Sequence, residues 1–210
     1  MATGGVQRGS PVRPLAVEVA MSGSDKPEKI APKPAQPSTV TCNHAWHQRL
    51  PFQDRADFDD ARRGYIAGFD GDQIRREQDG RVVWDFRAYQ FQQTDQVPDT
   101  VNPSLWRLAQ LNNHSGLFKV CERVYQIRGF DLSNMNVIEG DTGLIIMDPL
   151  VSAEVAAAAL DTYYQHRPRK PVLAVIYTHS HVDHFGGVKG VVSEEDVLSL
   201  IHISEPTRPY

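Results

Sequence analysis

The stretch that decides the fold is residues 171–187, PVLAVIYTHSHVDHFGG. It begins with a continuous apolar run, which is typical of a strand buried on both faces of a sheet. Three histidines and an aspartate follow at once, before a pair of glycines: His179, His181, Asp183 and His184. In open α/β sheets, ligand sites lie where such strands end. The stretch therefore predicts a buried strand that leads into a functional site.

The spacing of these four side chains favours metal binding. His179 and His181 are two residues apart, so an extended backbone points both imidazoles to the same side, where they can bind one ion. Asp183 and His184 come where the chain turns toward the glycines, and they can reach a second ion nearby. Zinc prefers nitrogen ligands with carboxylate support, and a pair of ions can activate water. The alternative is a chance cluster of histidines, which this ordered set makes hard to accept.

The residues upstream predict an α/β arrangement. Strands over 136–139 and 144–147 are joined by Gly140-Asp-Thr-Gly143, which has the residues of a hairpin turn. Ser152 can cap an alanine-rich helix that ends near His166. A further strand is expected over 120–128. A strand pair, a crossover helix and a buried strand indicate an α/β sandwich.

The amino-terminal part divides into a leader and an extension. Residues 1–42 are rich in proline and poor in aromatic residues, so we expect a disordered leader. Its apolar patch is short and contains Glu18, which argues against a secretory signal and favours a cytoplasmic protein; an organelle transit peptide is the alternative. In the extension, residues 43–116, we expect a helix over 58–67, a strand over 81–86 and a helix over 102–111 capped by Asn102.

Composition excludes several classes of protein. The 210 residues carry a formal net charge of −4, which provides no general basic field and argues against nucleic-acid binding. No apolar stretch is long enough to span a bilayer. The two cysteines, Cys42 and Cys121, are too few for a disulfide scaffold.

The pattern His179-x-His181-x-Asp183-His184 resembles the signature of the metallo-β-lactamase superfamily. The flanking sequence resembles its alkylsulfatase branch, the linear primary-alkylsulfatases that hydrolyse dodecyl sulfate. This narrower resemblance is carried by six stretches between residues 58 and 197: DTVNPSLWR at 99–107, GLF at 116–118, GFDLSNM at 129–135, EGDTG at 139–143, DPL at 148–150 and IYTHSHVDHFGGV at 176–188.

The resemblance implies a metallo-β-lactamase-like αββα sandwich of which residues 117–197 supply only the first half, with an irregular extension, residues 43–116, packing on it. It assigns His179 and His181 to one zinc ion, and Asp183 and His184 to the other, so that a complete site holds two. Asp148 matches an aspartate that orients the histidine ligands. The alternative for Asp148 is a turn residue before Pro149.

The activity implied is zinc-dependent hydrolysis of alkyl sulfate esters by a metal-activated water in a longer parent protein, with no other catalytic group. The substrate would be a small molecule and the parent a homodimer. The remaining ligands and the sulfate-binding residues would lie downstream of this chain. The alternatives are another hydrolase of the superfamily, such as a thioesterase, a lactonase or a β-lactamase, or a truncated chain that is not catalytic.

The carboxyl-terminal segment, residues 198–210, resembles the translation of a sequencing adapter. We therefore expect that it does not belong to the natural protein and do not count His202 among the ligands. A natural divergent tail is the alternative.

Overall fold

The structure is a computed structural model that describes residues 33–199 and 202–204. The chain divides into two units after Pro34, and all the helices and strands described below belong to the second unit, Ala35–Tyr210. The predicted leader and the alternative of a transit peptide concern mainly residues 1–32, which lie outside the described residues.

The unit contains both helices and strands. The helices are α1 (Pro37–Arg49), α2 (Ala56–Arg62), α3 (Pro103–Asn112), α4 (Ala153–His166), α5 (Val182–Phe185) and α6 (Glu194–Ser199). The strands are β1 (Tyr65–Ala67), β2 (Gln73–Arg75), β3 (Val82–Asp85), β4 (Gly116–Cys121), β5 (Val124–Arg128), β6 (Met135–Glu139), β7 (Leu144–Met147), β8 (Val172–Ile176) and β9 (His202–Ser204). Two short 3-10 helices lie at Phe86–Gln92 and Val188–Gly190.

Seven strands form one mixed sheet, in the order β1-β4-β5-β6-β7-β8-β9, and β2 pairs with β3 separately. Every pair from β1 to β7 is antiparallel, whereas β8 runs parallel to β7 and β9 runs parallel to β8. A parallel pair needs a crossover connection, and α4 provides it between β7 and β8. The antiparallel hairpin of β6 and β7 and the strand β8 are confirmed.

One face of the sheet carries the core. Val137, Ile146 and Val175 lie side by side on β6, β7 and β8 and are fully buried. The buried face of α4 belongs to the same core through Ala159 and Tyr163, and Tyr163 meets Tyr125 of β5 edge to face at 5.6 Å. Burial of apolar surface between α4 and this face contributes to holding β8 in the sheet.

The opposite face is only half covered. Ile138, Ile145 and Ala174 lie next to each other across β6, β7 and β8, and all three are half-buried. A helix layer on one face, with the other face open, is half of a four-layer sandwich. The predicted α/β fold class and its incompleteness are thereby confirmed.

Two predicted helix starts are confirmed. The side chain of Asn102 accepts a hydrogen bond from the backbone N–H of Ser104 at 2.9 Å and caps α3. The hydroxyl of Ser152 accepts from the backbone N–H of Val155 at 3.3 Å and caps α4. Each cap satisfies an N–H group that a helix start leaves without a partner.

Two predicted elements are wrong in extent. The helix over 58–67 ends at Arg62, because Gly64 has φ +75° and the chain then forms β1 against β4. The strand over 120–128 is two strands that meet in a tight turn at Arg123, where φ is 64°. In both places pairing between strands overrides the local pattern.

The domain limits differ in detail from those expected. Helix α1 begins at Pro37 and crosses the predicted limit of the leader at residue 42. The extension is not wholly irregular, since β1 joins the main sheet and Ile74 of β2 is buried in the common core. Residues 202–204 form β9, so part of the segment expected to be adapter-derived is described as a strand. Its origin stays a prediction. None of the helices that the structure describes is both long and apolar enough to cross a membrane.

Candidate metal centre

The candidate ligands lie where β8 leads into α5: His179 and His181 are on the connecting loop, and Asp183 and His184 are on α5. The backbone is extended at His181, with φ −78° and ψ 141°, and α5 begins at the next residue. The backbone N–H of His184 donates to the carbonyl of His181 at 3.0 Å and closes this turn. The short helix places Asp183 and His184 beside the two preceding histidines, so one turn of chain brings all four predicted side chains together.

The histidine pair has the spacing of two ligands on one ion. His179 Nε2 lies 3.1 Å from His181 Nδ1. Two imidazole nitrogens bound at about 2.0–2.1 Å to one tetrahedral zinc lie about 3.3 Å apart. The pair therefore fits a single zinc ion with little rearrangement.

The second pair stands next to the first. His184 Nε2 lies 3.4 Å from Asp183 Oδ2, and the ring of His184 is centred 4.0 Å from that of His179. Within the residues that the structure describes, no three His, Cys, Asp or Glu side chains are arranged to hold one metal ion. The four side chains are arranged as two pairs instead. Each pair leaves further coordination positions of an ion to other ligands.

Asp148 is linked to both pairs: it lies against His184, and Thr178 links it to His179. It follows β7 directly, is buried, and has φ 57°. Its Oδ1 accepts from the backbone N–H of Thr178 at 2.8 Å, and its Oδ2 accepts from the Thr178 hydroxyl at 2.7 Å. The same Oδ2 lies 3.0 Å from His184 Nδ1, a buried nitrogen that has no well-aligned hydrogen bond among the described residues. The carboxylate thus faces the ring nitrogen of His184 that points away from Asp183.

Thr178 extends this support to His179. Its Oγ1 lies 3.0 Å from His179 Nδ1, while its proton goes to Asp148. If His179 Nδ1 carries a proton, it donates to this oxygen and leaves Nε2 free as a ligand. Sequence reasoning missed Thr178, because a threonine beside a histidine cluster has no distinctive pattern.

A second support, also missed, comes from the loop after β5. The Ser133 hydroxyl donates to the backbone carbonyl of Asp183. Asp131 accepts from the backbone N–H groups of Ser133 at 3.0 Å and Val151 at 2.8 Å. Burial raises the pKa of Asp131, and the two backbone amides oppose that rise. Asp131 and Ser133 therefore tie the ligand loop to the chain that follows β7.

The glycine pair allows the ligand loop to approach that chain closely. The backbone N–H of Gly187 donates to the carbonyl of Leu150 at 2.8 Å. A Cβ atom at Gly187 would lie 2.0 Å from the carbonyl oxygen of Pro149, far inside contact distance. Leu150 itself has φ 64°, a conformation that non-glycine residues seldom adopt. The hydrogen bond and the close approach at Gly187 hold the loop at the carboxyl edge of the sheet.

Comparison with known proteins agrees with this arrangement. Residues 128–208 match the family model described as the Metallo-beta-lactamase superfamily, and the matched range contains all four candidate ligands and Asp148. Residues 128–208 of the chain therefore carry a metallo-beta-lactamase domain. The match extends past Val197, where we expected the resemblance to end.

Within the superfamily, the chain is similar to alkylsulfatases. It is 54% identical over 170 residues to an (R)-specific secondary-alkylsulfatase of a Pseudomonas species, covering 81% of this chain and 25% of that protein. It is 52% identical over 184 residues to a linear primary-alkylsulfatase of a Pseudomonas species, covering 87% and 27%. For the alkyl/aryl-sulfatase BDS1 of Saccharomyces cerevisiae the identity is 54% over 167 residues, with 80% and 26% covered.

A solved structure agrees with these relatives. The inverting sec-alkylsulfatase Pisa1 from a Pseudomonas species matches with a TM-score of 0.75 and 53% identity, over 81% of this chain and 27% of that one. The predicted resemblance to the alkylsulfatase branch is confirmed. The chain spans about a quarter of the length of these relatives.

Proposed function

We propose that the full-length protein containing this chain is a zinc-dependent hydrolase of alkyl sulfate esters such as dodecyl sulfate. The proposal is carried by one observation: two pairs of converging side chains stand at the sheet edge of a chain about half-identical to alkylsulfatases over four fifths of its length. The comparisons support sulfate-ester hydrolysis, and the ligand geometry is the basis for proposing zinc.

The residues of this chain fit zinc by their chemistry. His179 and His181 would hold one ion, and Asp183 and His184 would hold the other, consistent with the preference of zinc for imidazole and carboxylate. Bound there, zinc would lower the pKa of a water molecule and stabilise the charge that develops on the ester. Within this chain we assign no catalytic role to any other group.

The supporting residues position these ligands. Asp148 and Thr178 face the ring nitrogens of His184 and His179 that are not directed at a metal. Ser133 holds the backbone of Asp183. Partners of this kind fix the ring orientation and make the ligand more basic.

A decisive assay compares substrates on the purified full-length protein. We expect sulfate release from dodecyl sulfate, loss of that release on chelation of zinc, and recovery on its return. Acyl thioester, lactone and β-lactam substrates test the other activities of the superfamily. Activity on one of these, with none on dodecyl sulfate, would refute the proposal.

A pair of histidine variants tests the proposed site. His181→Ala should abolish sulfate release and reduce bound zinc. His166→Ala, at the exposed end of α4, should change neither and serves as the matched control. Full activity of His181→Ala would exclude the proposed ligand.

We further propose that the 210-residue chain alone aggregates or binds zinc weakly, and is therefore not active. Each ion would have two ligands from this chain, whereas a catalytic zinc site usually has three protein ligands. The half-open face of the sheet would also leave apolar surface in contact with water. Zinc retained after gel filtration at close to two ions per chain would contradict this. A homodimeric parent, and the absence of a nucleic-acid partner, stay predictions from the sequence.

A further inference from the structure

A cavity of about 570 Å³ lies between the extension and the loop after β5. The extension contributes an aromatic wall of Trp84, Phe86 and Tyr89, and Arg128 and Asn134 also line the cavity. The volume falls within the range of about 300–1,000 Å³ that is usual for small-molecule sites. The four candidate metal ligands do not line the cavity.

Arg128 is a half-buried cation whose orientation is fixed. Its guanidinium carbon lies 4.2 Å from the centre of the Phe118 ring, and its Nε donates to Gln126 Oε1 at 2.6 Å. Gln126 is in turn held by a hydrogen bond of 2.8 Å from its Nε2 to Asn136 Oδ1. Stacking and the Nε hydrogen bond leave the two terminal nitrogens of Arg128 for a ligand.

Among the described residues, no carboxylate forms an ion pair with Arg128. Burial alone lowers the pKa of Arg128, with no acidic neighbour to oppose it. Asp131 lines the same cavity, but its two oxygens accept from the backbone N–H groups of Ser133 and Val151. A partly desolvated charge without a partner is unfavourable, and a bound anion would relieve it.

A second polar group in the wall lacks a partner. His114 lines the cavity, and its Nε2 is buried without a hydrogen bond among the described residues. A ligand oxygen could accept from this nitrogen in the tautomer that protonates it. The cavity thus combines a guanidinium without an acidic partner, an imidazole nitrogen without a hydrogen bond and three aromatic rings.

We propose that this cavity binds an amphiphilic anion, with its sulfate group on Arg128 and its alkyl body along Trp84, Phe86 and Tyr89. Arginine recognises tetrahedral oxyanions through paired hydrogen bonds, and the aromatic rings bury an apolar chain. The site is separate from the metal centre and is next to it along the chain, because Asp131 and Asn134 flank Ser133, which contacts Asp183. The choice of a sulfate as the anionic group rests on the proposed function.

The test uses full-length protein freed of zinc by a chelator, so that binding at the metal centre does not contribute. The probe is decane-1-sulfonate below its micelle concentration, a stable analogue that cannot be hydrolysed at a sulfate ester bond. We expect saturable binding by calorimetry and a change in the fluorescence of Trp84. Trp84→Phe should remove that change and leave most of the binding.

Variants of Arg128 separate the proposal from general attraction between charges. Arg128→Gln should weaken sulfonate binding about tenfold or more, as expected for loss of a charged hydrogen-bond pair, and Arg128→Lys should recover part of it. The matched control is Arg123→Gln, which removes the same charge from an exposed arginine that is paired with Asp141. The control should bind as the unmodified protein does.

Binding of decan-1-ol shows whether a variant that loses sulfonate binding is still folded. A folded Arg128→Gln protein should keep its affinity for the uncharged alcohol while it loses affinity for the sulfonate. Equal loss in Arg128→Gln and Arg123→Gln, equal affinity of Arg128→Gln and the unmodified protein, or no binding to the zinc-free protein would overturn the proposal. Failure of the zinc-loaded protein to hydrolyse dodecyl sulfate would contradict the proposed function only.

Discussion

Thr178 donates two hydrogen bonds to Asp148, one from its backbone at 2.8 Å and one from its hydroxyl at 2.7 Å. The first bond fixes the start of the ligand loop, and the second orients the Thr178 oxygen that faces His179. One buried carboxylate at the end of β7 therefore controls the backbone and the side chains at the end of β8.

Asp148→Asn should weaken zinc binding by the full-length protein about 10- to 100-fold, because an amide presents N–H groups where two donors already point. The unfolding free energy should fall by about 1–3 kcal/mol for the donor left without an acceptor. Competition with a chromophoric chelator measures the affinity. Asp161→Asn, at an exposed position on α4, is the control. Unchanged zinc affinity in Asp148→Asn would remove Asp148 from the site.

Ser133→Ala should lower zinc affinity about tenfold, because the carbonyl of Asp183 loses the hydroxyl that holds it. Ser133→Thr keeps a hydroxyl and should restore part of the affinity. Ser152→Ala removes the cap of α4 and should cost about 1 kcal/mol of stability without changing zinc affinity. If Ser133→Ala and Ser152→Ala lower zinc affinity equally, Ser133 acts only through general stability.

Glu139 should make the protein sensitive to acid. Arg167 holds the pKa of Glu139 below its usual 4.5, and Tyr163 donates to the same carboxylate at 2.6 Å. A lowered pKa in the folded state adds stability above the unfolded pKa, and that stability is lost as pH falls through the folded value. The thermal midpoint should therefore decrease as the pH is lowered below about 4.5, the usual pKa of the carboxyl group.

Glu139→Gln should be less stable near neutral pH and should show a shallower fall with acid. The control is Asp141→Asn, whose carboxylate is 83% exposed and pairs with an exposed arginine. Exposed pairs of this kind contribute little to stability, because solvent and salt screen them. Identical acid profiles for Glu139→Gln and the unmodified protein would show that the buried network does not carry the effect.

The parts of the fold that could be predicted are those where local signals and tertiary structure agree. The turn residues between β6 and β7, the cap at Ser152 and the apolar run before His179 each act on neighbouring residues, and the structure keeps them all. Agreement between local and global preferences is typical of natural sequences.

The parts that could not be predicted depend on distant contacts. Gly64 ends α2 because the chain must approach the carbonyl of Lys119, where a Cβ atom would lie 2.1 Å away. The turn at Arg123 contains no glycine or asparagine to indicate it, although φ there is 64°. On α3, the leucines that recur at helical spacing do not form the buried face, since Leu105 and Leu108 are exposed while Trp106 is buried.

The candidate site shows the same division. Residues 179–184 form a local pattern, and their proximity follows from one turn of backbone. The supports from Asp131 and Ser133 come from a loop some fifty residues upstream, which only the pairing of β5 through β8 brings near. Asp148 could be placed at a strand end, but its hydrogen bonds to Thr178 depend on the parallel register of β7 and β8.

The strands from β4 to β8 lie in the sheet in the same order as in the chain. Each strand can therefore add to the edge left by the one before it as the polypeptide leaves the ribosome, with little entropy lost in closing long loops. In a parent as long as the relatives, this half would be finished while most of the chain is still being made, an interval on the order of tens of seconds. The open face beside Ile138 and Ile145 would be exposed for that whole time, so the rate of translation, rather than final stability, would decide how much protein escapes aggregation.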